Sequence, residues 1–394
     1  MNAARSGPLP ALVAPDSFKG TFSAREVAAA IASGLRAAGR EAHELPVADG
    51  GEGTMDVLVS ALGGELHSAT VSDPLGRPVE ASFALLPDGA AVVEMAQASG
   101  LSLVDESERD AWAASTRGTG ELIAAAMEAG ATRLIVTVGG SATTDGGAGA
   151  IEALREAGLL PTAGRTATGR PAVGRPAVGR SALPRSVAAR GSAAPRTAAA
   201  PRTAAARGSA APRTAAARGS AAPLAGLEMH VVCDVRVPFE RAPSVFGPQK
   251  GADEATVKRL EERLDRLADT LPRDPRGEPM TGAAGGLSGG LWAACGATLV
   301  AGAPYVLDTI GFDAFMRGSA FVVTGEGALD DQTLEGKIVG ELATRCRQGG
   351  VACHAIVGRN RLDPFGERII DLASVTEAST LAELKRAGSA LVEH

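Results

Sequence analysis

Aromatic side chains are scarce in this sequence: nine Phe, two Trp and one Tyr, 3% of 394 residues. Alanine, valine and leucine must therefore fill the core. Cysteine is scarce too. Cys233, Cys295, Cys346 and Cys353 form no C-x-x-C pair and no zinc-like spacing. That excludes a zinc ribbon or a disulfide framework, and reduced thiols in a cytoplasmic protein are the expectation. No apolar run is long enough to span a membrane, and Met1-Asn2-Ala3-Ala4-Arg5 does not open a signal peptide. There is no G-x-x-x-x-G-K-[ST], so no Walker-type nucleotide loop, and no G-x-G-x-x-G after a strand, which argues against a dinucleotide site. Acidic residues are missing from one long stretch: Ala157 to Leu227 holds eleven Arg and no Asp or Glu. The remainder carries 28 basic and 45 acidic residues, a net −17 against −6 for the whole chain. So acidic a body argues against nucleic acid as a partner.

Within that stretch, Thr162 to Ala222 is of low complexity. Arg recurs at 165, 170, 175, 180, 185 and 190, and the segment from Thr203 begins again at Thr214. Such a composition buries too little apolar area to offset its ordering entropy, so a disordered insert is expected. A basic nucleic-acid arm is disfavoured, because it has no aromatic residues for stacking.

Hydrophobic residues reach 45%, and the length allows two domains with a sizeable core. Pro8 to Ala14 reads as a short buried strand, followed by the turn Asp16-Ser17-Phe18-Lys19-Gly20. Ser23 and Glu26 form a capping box, and Val27, Ile31 and Leu35 repeat at helical spacing up to Gly39. The same grammar recurs. Strands are expected at Ala91–Met95, Leu134–Val138, Met229–Cys233, Phe321–Thr324 and His354–Val357. Helices are expected at Gly118–Ala129, after Gly147 through Leu154, at Asp253–Asp269 and at Leu334–Arg347. Strands alternating with helices predict an α/β protein with a largely parallel sheet.

Three loops set carboxylates among glycines: Asp49-Gly50-Gly51-Glu52-Gly53, Thr144-Asp145-Gly146-Gly147 and Gly325-Glu326-Gly327 with Asp330 beyond. Glycine lets backbone N–H groups approach a ligand, and a carboxylate there can hold Mg²⁺ or accept a proton. Phosphoryl transfer needs both. Each loop also has a plainer reading, since Asp49, Glu52 and Asp145 could cap the helices that follow. Lys19 beside a helix start opposes the macrodipole unless an anion lies between them. Ser141, Thr143 and Thr144 add hydroxyl donors beside Gly139 and Gly140, which suits an anion cradle. Lys250, in Phe246-Gly247-Pro248-Gln249-Lys250-Gly251, could stabilise charge on a transferring group. Gly286-Leu287-Ser288-Gly289-Gly290 matches G-x-S-x-G, but no strand precedes it, so a serine hydrolase is disfavoured.

These residues resemble the class I glycerate kinases, or glycerate 2-kinases. The resemblance is carried by APDSFKG at 14–20, PVADGGEGT at 46–54, DPLGRPV at 73–79, VEMAQASGL at 93–101 and RGTGELI at 117–123. It continues through GGSATTDGGAG at 139–149, VCDV at 232–235, VFGPQKGA at 245–252, GAAGGL at 282–287 and TGEG…DDQTLEGK at 324–337. It implies an ATP- and Mg²⁺-dependent kinase acting on D-glycerate, in most members giving 2-phosphoglycerate. It also implies a Rossmann-like domain from both chain ends (1–60 and 293–394) and an inserted α/β domain (61–292) that contains the insert at 162–222. On this reading Asp16, Lys19, Asp49 and Asp330 are the candidate catalytic residues, one of the aspartates serving as base, with Asp331 the alternative to Asp330. Ser17, Arg77, Ser141, Thr143 and Lys250 would bind substrate, Lys19 or Arg77 meeting its carboxylate. Gly50, Gly51, Gly285, Gly286, Gly325, Gly327 and Lys337 would hold the nucleotide, and Asp49, Asp145 or Glu326 the metal. Ala328 stands where many relatives carry Arg; if that Arg holds phosphate or substrate there, something else must do so here. The partners expected are small molecules, not nucleic acid or membrane, and a homodimer is compatible with them. The rival reading is a non-catalytic relative that binds a hydroxy acid or nucleotide.

Overall fold

The structure, a computed structural model, describes residues 8–161, 226–330 and 337–392, with Leu224 and Thr333. The expected insert at 162–222 and Asp331 lie outside the described residues. In chain order the strands are β1 (Ala11–Val13), β2 (Ala42–Glu44), β3 (Glu65–Ser72), β4 (Pro78–Leu85), β5 (Ala90–Glu94), β6 (Arg133–Val138) and β7 (Glu228–Cys233). They continue with β8 (Thr298–Ala301), β9 (Phe321–Thr324), β10 (Ala328–Leu329), β11 (Ala352–Val357), β12 (Arg359–Asn360) and β13 (Ser374–Glu377). One sheet, ordered β13–β11–β9–β1–β2, is parallel throughout and uses both ends of the chain. Strand β1, between β9 and β2, is fully buried, as a parallel sheet covered on both faces requires.

The first helix, Ala24–Ala37, starts as its sequence dictates. The Ser23 hydroxyl accepts the Glu26 N–H, and the Glu26 carboxylate accepts the Ser23 N–H at 2.9 Å. Val27, Ile31 and Leu35 face the core. The opposite end of the chain, helix Leu381–Ala390, packs directly on it. A Cβ at Gly34 would stand 1.9 Å from the Lys385 carbonyl, so only glycine permits this approach.

The second sheet has the order β3–β4–β5–β6–β7–β8, antiparallel from β3 to β5 and parallel from β5 to β8. The β3–β4 hairpin was not expected from the sequence. Its turn is Asp73–Arg77, where the Asp73 carboxylate accepts the N–H groups of Leu75 and Arg77, both at 2.8 Å. Strand β8 joins this sheet although it lies past residue 292, where the boundary was expected. The two sheets share one core. Leu12, Val322 and Ala355 of the first and Ala84, Val92, Ile135 and Val232 of the second pack into a continuous cluster with Leu58, Val306, Leu307 and Leu342. After helix Ala148–Glu156 the chain reaches buried Leu159, whose carbonyl accepts the N–H of buried Leu224 at 3.1 Å. No helix among the described residues is long and apolar enough to cross a membrane.

Candidate active site

Open parallel sheets bind ligands beyond the carboxyl ends of their strands. Here the first sheet gathers acids and cations there. After β1 comes Asp16, 5% exposed, whose Oδ1 accepts the Ser17 N–H at 2.6 Å. Three residues on, Lys19 donates from Nζ to Asp49 Oδ2 at 3.5 Å. Asp49 follows β2 and accepts the Gly51 N–H at 3.0 Å through Oδ1. Glu326 follows β9, and its Oε1 accepts the Thr333 hydroxyl at 2.7 Å. After β11 the Gly358 N–H is held by the Glu326 carbonyl, and Arg359 and Arg361 follow. These groups, with Ser17, Gly327, Ala328, Asp330 and Lys337, line a cavity of about 420 Å³.

The acids crowd one another. Burial pushes the Asp16 carboxyl up to about 8, and the charges of Asp49 and Glu326 add to it against the Ser17 N–H and Lys19. Burial lifts Glu326 to about 7, in spite of Thr333 and Lys337. Asp234, at the end of β7, is lifted to about 6 by burial and then by Asp49. Lys19 is held above the ordinary lysine range, first by Asp49. Asp49 is thus the common neighbour of every perturbed group in the cluster. The surplus of negative charge suits a hard cation. Among the described residues no three His, Cys, Asp or Glu side chains stand together to enclose a metal. Mg²⁺ does not need them, since it takes one or two carboxylates and completes its shell with water and phosphate oxygens. The donor set therefore fits that ion.

A larger cavity, about 850 Å³, opens beyond β6 and β7 of the second sheet. Gly139, Gly140 and Ser141 form one side, and Asp234 to Val237 another. Leu101, Val138, Val245 and Phe246 supply apolar wall. Lys250, 2% exposed, also lines it. Its Nζ donates to Ser141 Oγ at 2.7 Å and to the Thr143 carbonyl at 2.5 Å. Burial pushes this lysine down to about 7, only partly opposed by the charges of Asp145 and Asp234. Lys19 and Lys337 line both cavities, so the two meet at these cations.

Several expected residues are elsewhere. Asp145, expected at a metal, is 1% exposed and lines neither cavity. It lies between two helix starts. Its Oδ2 accepts the Thr116 N–H at 2.8 Å, the Thr116 hydroxyl at 2.9 Å and the Gly149 N–H at 3.1 Å, and Oδ1 accepts the Gly147 N–H at 3.0 Å. The capping reading is the one the geometry supports. Arg77, expected at the substrate carboxylate, instead braces the β3–β4 turn through Asp73 at 2.6 Å and Glu108 at 3.0 Å. Gly285 and Gly286 line neither cavity and pack against the Thr143–Gly146 backbone and Phe239. Gly50 and Gly325 serve close packing: a Cβ on Gly50 would stand 2.8 Å from Gly302 Cα, and one on Gly325 2.1 Å from the Ile356 carbonyl. Thr143 offers Lys250 its carbonyl, while its hydroxyl is buried without a partner among the described residues. Ser288 donates to the Met280 carbonyl at 2.7 Å and is fully buried, which removes the serine-nucleophile reading. Asp234, Arg359, Arg361 and Glu94 were missed as candidates. Asp234 had a signal, an acid ending a buried strand. Arg359 is the ladder partner of Ala328, so a cation does stand where the sequence lacks the expected arginine.

Two strand-end crevices that meet at paired lysines and a charged acid cluster define an α/β enzyme of the kinase class. The chain belongs to the glycerate kinase family: the family model described as "Glycerate kinase family" matches residues 11–169 and 204–392. It is 38% identical to the glycerate kinase of Bacillus subtilis (strain 168) over 83% of this chain and 78% of that one. It is 36% identical to the glycerate 2-kinase of Escherichia coli (strain K12) over 83% of this chain and 79% of the other. A crystal structure of a proposed glycerate kinase 2 from Salmonella typhimurium LT2 superposes with a TM-score of 0.69 at 31% identity, covering 98% of both chains.

Proposed function

We propose that this enzyme transfers the γ-phosphoryl group of ATP to the 2-hydroxyl of D-glycerate in the presence of Mg²⁺. The observation that carries the reading is the junction of two cavities at Lys19 and Lys337, beside the cluster centred on Asp49. The larger cavity, with its apolar wall, suits a nucleotide, and Ser141 and Lys250 would meet its phosphates. The smaller one suits a three-carbon acid, with Arg359 or Arg361 on the carboxylate and Ser17 beside the hydroxyls. Asp16 would take the hydroxyl proton, its carboxyl lying near the working pH. Lys19 and Lys337 would stabilise charge on the transferring group. Asp49, with Asp234 or Glu326, would hold Mg²⁺, which when bound neutralises phosphate charge.

The name of the Escherichia coli relative supports the 2-position. NMR of the product from D-glycerate, ATP and Mg²⁺ tests it: 2-phosphoglycerate is expected, and 3-phosphoglycerate would overturn the regiochemistry. A thermal shift with glycerate but no ADP release would favour the non-catalytic binder instead. A homodimer and a cytoplasmic location complete the proposal, and light scattering checks the first.

A further inference from the structure

Glu94 ends β5 of the six-stranded sheet and is 3% exposed. It lines neither cavity. Its Oε1 accepts the Gly53 N–H at 2.9 Å, and Oε2 accepts the Met55 N–H at 3.1 Å. These donors open helix Thr54–Leu62, whose own N-cap is Gly53 and offers no side chain. A carboxylate at this place satisfies free N–H groups and meets the positive end of the helix dipole. Its environment is otherwise costly: burial pushes Glu94 up to about 7, and Glu52 and Asp56 add like charge.

The loop that Glu94 grips is the one that bears Asp49. At one end Asp49 holds the Gly51 N–H. In the middle the Gly51 carbonyl accepts the Thr54 hydroxyl at 2.7 Å. At the far end the loop is held by Glu94, which belongs to the other sheet. We infer that Glu94 is a positioning residue, which fixes the Asp49–Gly53 loop across the two sheets and so sets where Asp49 stands in the cluster. The inference rests on the reading that Asp49 serves phosphoryl transfer.

The test uses the full chain with Glu94→Gln, which keeps the volume and one acceptor, and with Glu94→Ala. A small displacement of a reacting group can cost about a hundredfold. Glu94→Gln should therefore lower kcat about tenfold and Glu94→Ala about a hundredfold, with KM for D-glycerate within about twofold. Residues that act through one another fail to add. Combined with Asp49→Asn, Glu94→Gln should cost no more than about threefold beyond Asp49→Asn alone. Hydrogen exchange of a peptide spanning 46–58 should quicken in Glu94→Gln. Unchanged kcat in a folded variant of lowered Tm would make the residue structural only and overturn the inference, as would full additivity with Asp49→Asn. If the wild type does not phosphorylate glycerate, the functional reading fails. The exchange measurement then still decides whether Glu94 holds the loop, and unchanged exchange refutes it.

Discussion

Replacing Lys250 with Met should stabilise the ligand-free protein near pH 6 while removing most of its activity. The ammonium is enclosed, with a hydroxyl and a carbonyl as its hydrogen-bond acceptors among the described residues. Its folded-state pKa of about 7, against the ordinary 10.5, is a shift of about 3.5 units, or about 5 kcal/mol at 1.36 kcal/mol per unit. The sign follows from proton counts. Between pH 7 and 10.5 the unfolded chain holds a proton that the folded one has released, so stability rises with pH through that window. Below pH 7 both states are protonated and the whole cost is present. Methionine removes the charge at similar length, but leaves Ser141 Oγ and the Thr143 carbonyl without a donor, at about 1–3 kcal/mol. The net expectation is a gain of about 2–4 kcal/mol at pH 6, shrinking and changing sign by pH 10. Urea denaturation of wild type and variant at pH 6, 8 and 10 measures it, and a coupled ADP-release assay measures turnover. A variant less stable than wild type at pH 6, or a difference that does not vary with pH, would refute the electrostatic argument. Full turnover would refute a role at the phosphates.

Asp16→Asn keeps an acceptor for the Ser17 N–H but cannot take a proton, so kcat/KM should fall at least about a hundredfold, or about 2.7 kcal/mol of transition-state stabilisation; steady-state kinetics at pH 8 checks it. Asp145→Ala strands four buried donors and should destabilise by more than about 3 kcal/mol, while the Mg²⁺ concentration at half-maximal activity in the surviving enzyme stays unchanged. Arg77→Ala should lower Tm and leave kcat/KM within about twofold, since the residue braces a hairpin away from both cavities.

The elements that position the site were readable because local signals agreed with the fold. The Ser23–Glu26 box, the apolar runs at β1, β6, β7 and β9, and the Gly39 stop all behave as their chemistry dictates. The site was readable only in part. Asp49 and Asp145 look alike in sequence, each an acid before two glycines. One faces a cavity and the other turns inward between two helix starts, and that difference is set by neighbours distant in the chain. Arg77 shows a missed local signal: Asp73-Pro74-Leu75-Gly76-Arg77 lies between two alternating segments, which is hairpin grammar. Glu94 stands at a strand end without glycines beside it, so nothing near it in the sequence advertises its neighbours, whereas Asp234, directly after a buried strand, had that one signal.

The hydrogen bond between Leu159 and Leu224 has a consequence for how this chain tolerates change. The body itself brings the two leucines together and buries both, so the two points from which the intervening sequence departs and returns are pinned by the body. In general, doubling the length of a connection between two fixed points costs only about 0.6 kcal/mol of closure entropy. The joint is therefore a port, a place where sequence can be gained, lost or exchanged with little charge to the stability of the enzyme that carries it.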